Sequence, residues 1–126
     1  MALAAILGSR RWALVWTLAL AVLLLTPGDR VPDPGLWDWL DKLLHGLAFG
    51  LQCFLVHGAL AGRRPEGRTL VAAVSLTGLY SALLEVAQLW VPGRGFEGWD
   101  LAANAAGIGA AALLVARRRA TISAAR

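Results

Sequence analysis

The chain has 126 residues, of which 58% are hydrophobic and 16% charged, with a mean hydropathy of +0.61. A soluble domain carries about 25% charged residues, so this composition excludes an ordinary soluble enzyme and points to one membrane-embedded domain over residues 1–126. The net charge of +4 comes from arginines set between apolar runs, not from a basic face interleaved with aromatics, which excludes nucleic acid as a partner.

Four apolar runs occur in order, at about 11–27, 40–61, 69–91 and 99–116. About 20 helical residues cross a hydrocarbon core of roughly 30 Å, so the second and third runs are full spans. The first and fourth are shorter, and Arg10, Arg11 and Arg117 to Arg119 flank them with side chains that can snorkel to the interface. The expected fold class is all-α, a bundle of four transmembrane helices. A cleaved signal peptide is the competing reading of the first run, but Thr26-Pro27-Gly28-Asp29 lacks the small-residue cleavage pattern. Asp33 is expected to cap the second helix, with Pro34 in its first turn. The turn from Arg63 to Arg68 is short enough to make the second and third spans antiparallel neighbours. Gly46 with Gly50, and Gly58 with Gly62, have the spacing that lets helix backbones approach closely. The many alanines of the fourth run make it central, while the first belongs at the periphery. Cys53, the single cysteine, sits among apolar residues and reads as packing.

Alternating the sides of successive spans gathers Arg10, Arg11, Arg63, Arg64, Arg68, Arg117, Arg118, Arg119 and Arg126 on one side with Glu66. The other side holds Arg30, Lys42 and Arg94 with seven of the eight acids. The positive-inside rule then places both termini in the cytoplasm. Trp37, Trp39, Trp90 and Trp99 fall at the outer boundary, as an interfacial belt requires.

Each of the last three runs carries a polar face. At 100° per residue, Asp41, His45, Ala48 and Gln52 share one face of the second; Thr77, Ser81, Glu85 and Gln88 share one on the third; Asp100, Asn104, Gly107 and Ala111 share one on the fourth. His45, Glu85 and Asn104 come out roughly 7 to 10 Å below the outer boundary, so the three faces meet in one layer. Taken singly, Asp41 reads as a helix cap, His45 as a core histidine, and Asn104 or Gln88 as interhelical glue. Glu85 is harder to place in that way, because a buried carboxylate needs a cation or a proton. Ionisable groups grouped inside spans are read as a functional site, with a structural ion-pair network as the alternative.

Asp41-Lys42-x-x-His45, Glu85-x-x-Gln88, Pro92-Gly93-Arg94 and Asp100-x-x-x-Asn104-x-x-Gly107, in that order, resemble the VanZ-like membrane proteins. The likeness runs from about Asp41 to Ala111, where the family often has a second glycine. It implies a four-helix layout in a bacterial cell membrane and a link to glycopeptide (teicoplanin) resistance, without supplying a reaction.

Three functions are open. In the first, the outward-facing site binds an anionic membrane lipid or lipid-linked envelope precursor through Asp41, Lys42, Gln88, Arg94, Asp100 and Asn104, with Arg94 offering bidentate donor geometry. In the second, His45 and Glu85 are the acid and base of an intramembrane enzyme, with Arg94 stabilising developing negative charge. The third is a small transporter subunit, against which the polar faces fade toward the cytoplasm. A metal could be held by His45, Asp41, Asp100 and Glu85, but only one histidine lies in the layer, with His57 about 18 Å further in, so no metal and no other cofactor is expected.

Overall fold

A computed structural model describes residues 10–30, 38–63 and 65–125. Among these the chain is all-helical: α1 (Arg10–Leu25), a 3₁₀ turn (Gly28–Arg30), α2 (Asp38–Leu60), α3 (Glu66–Ala87), a second 3₁₀ turn (Gln88–Trp90) and α4 (Gly98–Ala124). The cap expected at Asp33 and Pro34 lies outside the described residues.

Three stretches are long and apolar enough to cross a membrane: Trp39–Leu60, Glu66–Trp90 and Gly98–Ala124. The chain is thus a membrane protein. Its last helix exceeds the sequence expectation, because alanines and Arg117 to Arg119 continue the helix past the apolar run to Ala124. The first falls on the other side. At 16 residues, α1 is about 24 Å long, less than a hydrocarbon core of roughly 30 Å.

Short connections make α3 antiparallel to its neighbours, which leaves α2 and α4 parallel. Their register is steady, with Lys42 against Asp100, His45 against Asn104, Gly50 against Gly107 and His57 against Arg119. The contact is made by backbone. A β-carbon on Gly50 would stand 3.0 Å from the Gly107 carbonyl oxygen, and one on Gly46 3.2 Å from that of Ala103. α2 and α4 accordingly share the most extensive contact in the bundle. Gly62, with φ +77°, makes the turn after α2, and Pro65 stands at the N-cap of α3.

The polar faces read from the sequence are largely interior, with Asp41 at the exposed rim and His45 half-buried. Gln52, Thr77, Ser81, Glu85, Gln88, Asp100 and Asn104 are all buried, alongside a core that includes Leu20, Leu24, Phe49, Cys53, Ala73 and Ile108. α1 is peripheral, with Leu14, Leu18 and Val22 exposed. It is fastened to the bundle by polar bonds: Trp16 Nε1 donates to the Ala48 carbonyl at 3.0 Å, and Gln52 Nε2 to Thr17 Oγ1 at 2.7 Å.

Candidate functional site

Where α2 and α4 begin and α3 ends, three helices bring ionisable groups together. Asp100 lies in the first turn of α4, where free N–H groups and the helix dipole favour a carboxylate. The parallel register sets the first two turns of α2 against it. Lys42 Nζ donates to Asp41 at 3.2 Å, to Glu97 at 2.8 Å and to Asp100. His45 stands one turn deeper, its Nδ1 3.2 Å from Asn104 Oδ1 and its Nε2 3.7 Å from Asp100 Oδ2. Its two ring nitrogens thus bridge the Asn104 amide and the Asp100 carboxylate.

Behind this network lie two buried groups with unmet bonding capacity. Asn104 is 0% exposed, and its Nδ2 has no hydrogen-bond partner among the described residues. Glu85 is 1% exposed, and neither carboxylate oxygen accepts a well-formed hydrogen bond among the described residues, with the Glu97 backbone N–H its neighbouring donor. Its charge is within electrostatic reach of Asp100, His45 and Glu97. Among the described residues, four carboxyl groups, Asp41, Glu85, Glu97 and Asp100, thus face a single ammonium, that of Lys42.

Gln88 and Arg94 are turned elsewhere. Gln88 Nε2 donates to the Leu24 carbonyl at 3.1 Å, while Arg94 donates through Nε to Thr26 at 3.2 Å and through a terminal nitrogen to Leu23 at 3.4 Å. These carbonyls close α1, where no helical N–H reaches them. Backbone completes the joint: Gly28 N donates to the Pro92 carbonyl at 3.0 Å, and Gly93, at φ +72°, lies against Gly28. Of the eight candidates read from the sequence, Asp41, Lys42, His45, Asp100 and Asn104 therefore share one network, Glu85 abuts it, and Gln88 with Arg94 ties down α1.

Glu97 belongs to the network and was not singled out by helical phase, since it precedes α4 as its N-cap residue. Its signal was its place three residues ahead of Asp100. A separate polar cluster occupies the opposite end of the bundle, where Arg119 pairs with Glu66 at 3.0 Å and lies 3.3 Å from His57 Nε2.

Fold and cluster together define a helical membrane protein with a polar site at one end of its bundle. Residues 3–119, nearly the whole chain, match the VanZ/LLP1 family, and the chain belongs to that family. No curated protein and no solved structure matches it.

Proposed function

We propose that this protein resides in a bacterial cell membrane with four spans and both termini in the cytoplasm, and that its polar cluster faces outward to engage the head group of an anionic lipid or lipid-linked envelope precursor. The orientation is supported by Arg63, Arg68 and Arg117 to Arg119, which crowd the end of the bundle opposite the cluster. Trp39, Trp90 and Trp99 are exposed at the cluster's own end, as residues of an interfacial belt.

The observation that carries the binding reading is Glu85. A network kept only for stability satisfies its charges, because one unpaired buried carboxylate costs more than the pairs around it return. Glu85 is buried without a well-formed hydrogen bond among the described residues, beside a cluster whose outer members, Asp41 and Glu97, are exposed. In this reading Asp41, Lys42, His45, Asp100 and Asn104 meet the ligand, and Arg94 with Gln88 fixes the loop and α1 beside it. A glycopeptide-resistance role is the biological form of this reading that the family resemblance favours.

A second reading has a specific observation behind it. His45 Nε2 lies 3.7 Å from Asp100 Oδ2 with Glu85 nearby, which is the arrangement of an acid/base pair acting on the same head group. One experiment addresses both. In nanodiscs, the wild type is expected to retain a long-chain isoprenyl phosphate over phosphatidylcholine, with tenfold or greater loss in His45→Ala and Asp100→Asn. Equal retention by all three proteins would sink the binding reading, and conversion of the bound lipid would favour the second.

A further inference from the structure

An anionic head group meets a difficulty at this cluster: among the described residues four carboxyl groups line it, and the single ammonium is shared among three of them. Positive charge must come from somewhere. One carboxylate oxygen of Asp41, one ring nitrogen of His45 and one carboxylate oxygen of Asp100 lie within 4.8 Å of one another. Ligands at about 2.0–2.2 Å from a small divalent cation stand roughly 3–4 Å apart, so modest side-chain closure completes the set.

We infer that Asp41, His45 and Asp100 form a binding site for a divalent cation such as Mn²⁺, Mg²⁺ or Zn²⁺, with Lys42 as a built-in competitor for the same carboxylates. Two observations beyond the acidic cluster point to this. Glu85, a carboxyl group 1% exposed and with neither oxygen meeting a hydrogen-bond partner among the described residues, lies within electrostatic reach of both His45 and Asp100. His45 is also held as metal-bound imidazoles are, one ring nitrogen 3.2 Å from Asn104 Oδ1 and the other turned toward Asp100. One imidazole nitrogen with carboxylate oxygens suits a cation of hard to borderline character. Lys42 holds the carboxylates together in the absence of the ion, and its flexible stem, with the side chain 27% exposed, lets the ammonium swing outward when a divalent charge arrives.

The ion would also provide the positive charge for an anionic head group, and in that respect the inference rests on the reading under Proposed function. Ion binding itself is measured without the lipid. The probe is Mn²⁺ alone, titrated into the detergent-purified full chain and followed by electron paramagnetic resonance. The wild type is expected to take up one Mn²⁺ with a nitrogen hyperfine coupling that His45→Ala abolishes. Asp41→Asn, at a side chain 53% exposed and so harmless to folding, is expected to weaken Mn²⁺ binding tenfold or more. Lys42→Met, which removes the competitor and fills its space, should bind Mn²⁺ several-fold more tightly than the wild type. The inference is overturned if folded wild type and Lys42→Met both fail to bind, or if Asp41→Asn and His45→Ala bind as the wild type does. Isoprenyl phosphate retained without any Mn²⁺ uptake would overturn the metal site and leave the lipid reading standing.

Discussion

Gly107 of α4 packs so closely on α2 that a β-carbon there would stand 1.8 Å from the Gly46 carbonyl oxygen. This contact fixes the parallel register that brings Lys42 to Asp100 and His45 to Asn104. Gly107→Ala must push the two backbones apart, an overpacking cost of about 1–3 kcal/mol. Thermal unfolding in detergent should show a lowered midpoint. Gly109→Ala is the control: a β-carbon there meets nothing within 4 Å, and loss of backbone freedom in the unfolded chain should raise stability by about 0.4–1 kcal/mol.

Arg94 and Gln88 hold the carbonyl end of α1, and their loss should be felt there. Arg94→Ala and Gln88→Leu each remove buried or half-buried donors from carbonyls with no other helical partner, at a cost of about 1–3 kcal/mol. Hydrogen exchange should rise at Leu23 to Thr26 and remain unchanged around His45. Faster exchange around His45 with α1 undisturbed would show that Arg94 acts on the cluster.

Much of this layout is legible in the sequence because helical phase is arithmetic. Thr77, Ser81, Glu85 and Gln88 recur at spacings of three and four, and all four are buried as one stripe. Phase locates a residue around its helix axis but not the direction in which a long side chain reaches. Gln88 and Arg94 therefore read as members of the cluster, although each reaches to α1. The extent of α4 is likewise hidden from hydropathy, because Arg117 to Arg119 end an apolar run without ending a helix. Glu97 escapes because a capping residue has no helical phase. Asp41, His45 and Asp100 are nameable from the sequence as possible metal ligands, but their approach to one another depends on the helix register that Gly46 and Gly107 allow.

The cluster at the other end of the bundle should behave differently. Arg119 and Glu66 are paired at 3.0 Å, but Glu66 is largely exposed, and such surface pairs contribute at most about 1 kcal/mol. Glu66→Ala is expected to lower the unfolding midpoint slightly, less so at high salt, and to leave ligand binding intact. A large loss would mean that this pair organises the turn between α2 and α3.

The central claim is that the α2–α3–α4 cluster is kept for a ligand at the expense of stability, and Glu85→Gln tests it most directly. Glutamine keeps the shape and removes the capacity for charge from a buried carboxyl group that has no hydrogen-bond partner among the described residues. The measurement is paired: unfolding midpoint and isoprenyl phosphate retention on the same nanodisc preparation. An unchanged or raised midpoint with tenfold or greater loss of retention is the predicted result. A lowered midpoint with retention unchanged would contradict the account and make the cluster structural.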